Sequence, residues 1–129
     1  MSWDVSIHRF VQQYDDISHI PADGGCLSLG TAKSVRDAVS AVFSGTNWTN
    51  QAWGVFDGDA GSIEFNLGHA DPVDDLMLHV RATEDVVPLI LSLCSSNQWR
   101  AIDMSSAEFL DKDPFSGLKS WSEYRARFT

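Results

Sequence analysis

The sequence predicts an α+β domain in which helices pack on one face of an antiparallel or mixed sheet. Three observations predict it. Apolar and polar residues alternate in several short segments, two other segments carry a one-sided apolar stripe at helical spacing, and turn residues punctuate the chain between them. The order reads βαβββαβ, which is the pattern of a sheet with helices on one face rather than of a doubly wound fold. At 129 residues the chain is near the modal size of one domain. A chain of that length buries roughly two-thirds of the surface it exposes when unfolded, enough for a core without staples. Residues 1–111 are expected to form this domain and residues 112–129 a basic, amphipathic C-terminal tail docked on it.

Trp3 to Phe10 alternates with Trp3, Val5 and Ile7 on one side, a half-buried strand. From Gln12 to Gly30 no period holds, and Asp15, Asp16, Pro21, Asp23, Gly24 and Gly25 mark a long loop tacked down by Ile17, Ile20 and Leu27. Thr31 can cap a helix running to about Phe43, with Val35, Ala38, Val39 and Val42 as its stripe and Gly45 as its stop. Ala52–Phe56 and Ser62–Leu67 read as strands joined through the hairpin-turn residues Asp57-Gly58-Asp59-Ala60-Gly61. Ile63, Phe65 and Leu67 face inward, and Leu76–Arg81 is a further strand with Leu76, Leu78 and Val80 inward. A second helix runs from about Asp85, because Pro88 is tolerated only in a first turn, to Ser95, with Asn97 as a left-handed stop. Its stripe is Val86, Leu89, Ile90, Leu93 and Cys94. Trp99–Asp103 returns as a strand, Glu108–Leu110 adds a short piece, and the tail from Pro114 reads as a helix with Leu118, Trp121, Tyr124 and Phe128 on one side.

Charge restricts the partners. The chain holds 18 acids against nine Lys and Arg, for a net charge of −9. Residues 1–111 contain 16 acids and five bases, while residues 112–129 contain two acids and four bases. Such a body repels phosphate backbones and anionic lipid, so direct nucleic-acid or membrane binding is not expected. It steers basic proteins instead. Five Trp and seven Phe separate it from acidic disordered chains. The N-terminus lacks a basic and apolar leader pattern, and the longest apolar run, Val86–Leu91, is too short to span a bilayer. Cys26 and Cys94 are read as free thiols of a cytoplasmic protein.

No phosphate-cradling glycine loop, zinc-ligand spacing or nucleophile elbow occurs, so no catalytic residue, metal or cofactor is assigned. Asp57-Gly58-Asp59-Ala60-Gly61 has a faint likeness to a calcium loop, but Gly68 stands where the closing Glu belongs. None of His8, His19, His69 and His79 is spaced as a zinc pair, although His8 and His79 become neighbours if their strands pair. Cys26 with His19, on the same loop, is the one sequence-near nucleophile–base pairing. Trp48, beside Thr49-Asn50-Gln51, is a candidate contact aromatic, whereas Trp53 is assigned to the core.

Four stretches carry a family resemblance: Met1-Ser2-Trp3-Asp4, Ser62-Ile63-Glu64-Phe65-Asn66-Leu67-Gly68, Leu76-Met77-Leu78-His79-Val80-Arg81 and Trp99-Arg100-Ala101-Ile102-Asp103. A Trp-Gly pair, Trp53-Gly54, precedes the second, and Glu108-Phe109-Leu110-Asp111 closes the pattern. Over residues 1–111 the chain resembles small acidic bacterial immunity proteins that accompany secreted antibacterial toxins, such as those of type VI secretion. The resemblance implies a cytoplasmic, non-catalytic inhibitor that binds a cognate toxin, as a monomer or weak homodimer. A nuclease-like toxin presents the basic groove that an acidic surface covers best. Exposure assigns the contacts to Asp57, Asp59, Glu64, Asp71, Asp74, Asp75 and Trp48. The alternative is a small enzyme or ligand-binding domain with a pocket using His79, His8 or Cys26.

Overall fold

The computed structural model describes residues 2–114. The strands are β1 (Trp3–Phe10), β2 (Cys26–Leu27), β3 (Asn47–Asn50), β4 (Trp53–Gly58), β5 (Gly61–Asn66), β6 (Leu76–Ala82), β7 (Arg100–Asp103) and β8 (Glu108–Phe109), and the helices are α1 (Ala32–Val42) and α2 (Val87–Asn97). The sheet order is β3-β4-β5-β6-β1-β7-β8, with β2 on the end of β1, and every pairing is antiparallel. The α+β expectation therefore holds, with an antiparallel sheet. The expected tail helix with Leu118, Trp121, Tyr124 and Phe128 lies outside the described residues.

Period two does the work expected of it. Trp3, Val5 and Ile7 of β1, Ile63 and Phe65 of β5, and Leu76, Leu78 and Val80 of β6 are buried on one face. Val35 and Val39 of α1 and Val87, Ile90 and Leu93 of α2 cover that face and share its core. The Thr31 hydroxyl accepts from the Ser34 N–H at 3.1 Å, which caps α1 as its sequence implies. The Trp3 indole N–H donates at 3.1 Å to Asp103, a fully buried carboxylate that also accepts from the Ser105 N–H and hydroxyl. Asp103 thus ties the central strand to the β7–β8 turn.

Four details differ from expectation. The long loop contains a 3-10 turn, Ile17–His19, and the short strand β2. Tyr14 and Leu29 anchor it, whereas Leu27 is exposed. Arg100 explains Tyr14: its guanidinium donates to the Tyr14 carbonyl, grips Asp111 with two nitrogens at 2.8 and 3.0 Å, and lies 3.5 Å from the Phe109 ring centroid. In the second helix a 3-10 turn at Glu84–Val86 precedes α2; Val86, Ile90, Leu93 and Cys94 of the expected stripe are buried, but Val87 is buried with them and Leu89, at the edge of the stripe, is 40% exposed. Gln98, not Asn97, takes the left-handed position, while Asn97 donates its side-chain amide to the Leu93 carbonyl. The edge strand β3 was not foreseen, because Asn, Thr and Asn dominate it.

Candidate functional site: the uncovered sheet face

Helices cover one face of the sheet, so alternation delivers the other side chains to the opposite face. In register across β1, β6, β5 and β4 lie Asp4, His79, Glu64 and Val55. His79 Nδ1 is 2.9 Å from Asp4 Oδ1, and the Ser2 hydroxyl donates to the same oxygen at 2.6 Å. Trp53 stacks on His79, with ring centroids 5.5 Å apart, and its indole N–H donates to Glu64 Oε1 at 3.1 Å. Arg81 pairs with the other Glu64 oxygen. These bonds, Arg81 first and Trp53 second, hold the Glu64 carboxyl below its ordinary value. The centre of the face is therefore an ordered aromatic and charged mosaic, with Val55 exposed beside it.

The two tryptophans exchange the roles expected of them. Trp53 stands on the open face rather than in the core. Trp48 lies on the helix side, where its indole N–H donates to Ser40 Oγ at 2.9 Å and its ring lies 6.5 Å from Phe65. It is half-buried over Gly54, whose missing side chain leaves the room it occupies.

The predicted contact acids divide by position and by employment. Asp57, on β4, and Asp59, in the two-residue β4–β5 turn, sit at one end of the sheet, joined there by Glu84 and Asp85 after β6. Asp71, Asp74 and Asp75 sit at the other end, before β6, with Glu64 between. Seven residues of β6 separate the ends, about 20 Å at strand spacing. Asp71 Oδ1 accepts the Ala32 N–H at 3.0 Å and so serves the start of α1. Glu64 is engaged by Arg81 and Trp53. Asp57, Asp59, Asp74 and Asp75 make no side-chain hydrogen bond or ion pair among the described residues.

The catalytic candidates are placed apart. His79 pairs with Asp4 rather than with His8, which lies opposite Arg100. Ser6 Oγ and His8 Nε2 are 2.9 Å apart, but Ser6 is only 6% exposed, so its hydroxyl is closed to a substrate. Burial pushes the His8 imidazole below its ordinary 6.5, with Asp75 acting in the opposite sense. Cys26 Sγ donates to the Gly24 carbonyl while His19 lies beside Asp16, so no bond joins that pair. Cys26 and Cys94 are free, and burial pushes the Cys94 thiol up to about 12. Among the described residues no three His, Cys, Asp or Glu are grouped to hold a metal, and no helix is long and apolar enough to cross a membrane. No family model, curated protein or solved structure matches the chain.

No local sequence pattern singles out Asp4, Trp53 or the Glu84–Asp85 pair as part of this site. The alternation of β4 becomes a signal for Trp53 only once Phe56 is placed: if Phe56 faces the helices, Trp53 cannot. The cross-strand row needed the β1–β6–β5 register, which no local pattern specifies.

Proposed function

We propose that this chain is an immunity protein, a non-catalytic inhibitor that binds a cognate antibacterial toxin and covers its basic substrate groove. The observation that carries the reading is the open part of the sheet face opposite the helices, across β4, β5 and β6, bounded at both ends by carboxylates without a partner among the described residues; toward β8 the same face is closed by Tyr14 packing on Phe10 and Phe10 on Phe109. A standard interface covers about 800 Å² per partner, a patch about 30 Å across, so one basic groove can meet both acidic ends. The Trp53–His79 stack then lies at its centre, where aromatic anchors contribute most. A nuclease-like toxin fits best, because its groove is shaped and charged for phosphates. Asp57, Asp59, Asp74 and Asp75 supply the steering charge; Glu64 and Asp71 hold structure and contribute less.

The test is association kinetics with the protein that this chain captures by pull-down from its host, at low and high salt. Replacing Asp57, Asp59, Asp74 and Asp75 by Asn should leave stability within about 0.5 kcal/mol per site. The same change should slow association at low salt on the order of tenfold. Variants changed at one end only show which end leads. Equal on-rates for wild type and the four-Asn variant at low salt would remove these acids from the interface. A salt-independent wild-type on-rate would refute charge steering.

A further inference from the structure

At the hairpin end of the sheet a depression of about 420 Å³ is lined by Phe56, Asp59, Ala60, Thr83, Asp85, Val86 and Leu89. Its floor is apolar and fixed. Phe56 packs edge-on against Phe43 with centroids 5.2 Å apart, and Val86 is buried in the core. One wall is held by the Thr83 N–H donating to the Ala60 carbonyl at 2.8 Å, which ties the β4–β5 turn to the end of β6. Leu89, at the edge of the α2 stripe, leaves 40% of its surface to solvent. Asp59 and Asp85 stand in the lining, with Asp57 and Glu84 adjacent in the chain. None of these four carboxylates has an ion-pair partner among the described residues. Arg81, which shares a cross-strand row with Asp57 and Ser62, is already engaged by Glu64.

An apolar floor between unpaired carboxylates matches one kind of side chain: an alkyl stem ending in a cation. Anions meet the Asp59 and Asp85 charges, and a neutral apolar group leaves both carboxylates uncompensated. Arginine fits better than lysine, because its guanidinium reaches two carboxylates in a fixed fork while its stem covers Leu89 and Phe56. We infer that this depression is the anchoring pocket for an arginine side chain presented by the basic protein partner. The inference rests on the toxin-blocking reading for the identity of that partner, and it narrows the reading from diffuse charge to one seat.

The probe is the dipeptide acetyl-leucyl-arginine amide, titrated into the isotope-labelled full chain and followed by NMR. Saturable shifts are expected at the Leu89 and Val86 methyls and at the Asp59, Ala60 and Asp85 amides. The citrulline counterpart, equal in shape but uncharged, should bind at least about fivefold more weakly, as expected when the charge-assisted bonds are lost. D59N/D85N should lose a similar factor, and D74N/D75N, at the far end of the sheet, should lose less than about twofold because exposed charges there are largely screened. Equal shifts with the citrulline peptide, or shifts centred on Trp53 instead, overturn the inference. The basic tail of this chain is the rival occupant. If K119Q/R125Q/R127Q in the full chain tightens the arginine peptide tenfold or more, as release of a bound competitor would, the seat belongs to the tail and the partner proposal falls. Because the probe is a peptide, its failure leaves the toxin reading to its own kinetic test, and a toxin that binds without using this pocket refutes only the pocket.

Discussion

Gly54→Ala should destabilise the protein through Trp48 alone, and its cost should vanish when Trp48 is removed. A Cβ at Gly54 would stand 2.6 Å from both Cη2 and Cζ3 of the Trp48 ring. Ordinary contact begins near 3.4 Å, so the ring must retreat by about 1 Å, and a rigid indole cannot fold its tip away. That retreat stretches the 2.9 Å bond to Ser40, worth about 1 kcal/mol, and loosens the packing on Phe65. Overpacking of this kind costs about 1–3 kcal/mol, against which the stiffer unfolded chain returns about 0.5 kcal/mol. The net expectation is a loss of about 1–2 kcal/mol, or a melting temperature lower by about 4–8 °C at this size. Trp48→Ala alone should cost about 2–3 kcal/mol, below the range for fully buried aromatics because the ring is only half-buried. In that background Gly54→Ala should be neutral or slightly stabilising. Urea titrations of the four members of the cycle give the coupling, expected to exceed about 1 kcal/mol. Additivity within about 0.5 kcal/mol would refute the steric account and return Trp48 to the list of free contact residues.

Arg100→Ala should cost about 2–4 kcal/mol, the sum of a lost backbone-carbonyl bond, a desolvated cation–π contact and an ion pair. Asp111→Ala should cost no more than about 1 kcal/mol, because Asp111 is 45% exposed and its partner keeps two other contacts; equal costs in urea melts would refute the clamp. Stability should fall as the pH drops below about 6.5 because of His8. The unfolded chain protonates His8 near 6.5 whereas the folded protein does so lower, so the unfolded state binds more protons in this window. Glu64, also depressed, acts in the same direction but only below its ordinary 4.5. His8→Gln should therefore flatten the slope just below about pH 6.5, above the range where Glu64 acts, and an unchanged slope would refute the assignment.

Local pattern was enough wherever a segment's own alternation decided its face. β1 and β6 carry Trp3, Val5, Ile7 and Leu76, Leu78, Val80 inward and β5 carries Ile63 and Phe65, and Thr31 announces α1 through a hydroxyl placed to accept an N–H. It failed wherever the deciding partner was distant in sequence. In Trp53-Gly54-Val55-Phe56 the outward positions hold Trp53 and Val55 while the inward ones hold Gly54 and Phe56, because the inward space at Gly54 is filled by the Trp48 ring. Hydrophobicity alone then favours the wrong face, and Trp53 is misplaced in the core. Tyr14 is similar: its ring packs edge-on against Phe10 and its carbonyl is held by Arg100, 86 residues away. In α2 the local pattern holds for Val86, Ile90, Leu93 and Cys94, which are buried, and misses only at the edge of the stripe, where Val87 is buried and Leu89 is exposed.

The candidate site was legible as a sum of charge but not as a direction. Composition shows that acids exceed bases, and turn chemistry places Asp57, Asp59, Asp74 and Asp75 in solvent. Only the register shows that Asp71 is committed to the Ala32 N–H and Glu64 to Arg81 and Trp53. That division changes what a charge substitution can report. Neutralising Asp71 or Glu64 perturbs a helix start or a cross-strand network, so slower binding there mixes folding with contact. The other four acids have no such internal duty among the described residues, and a kinetic effect at them reads the approach of a basic partner directly.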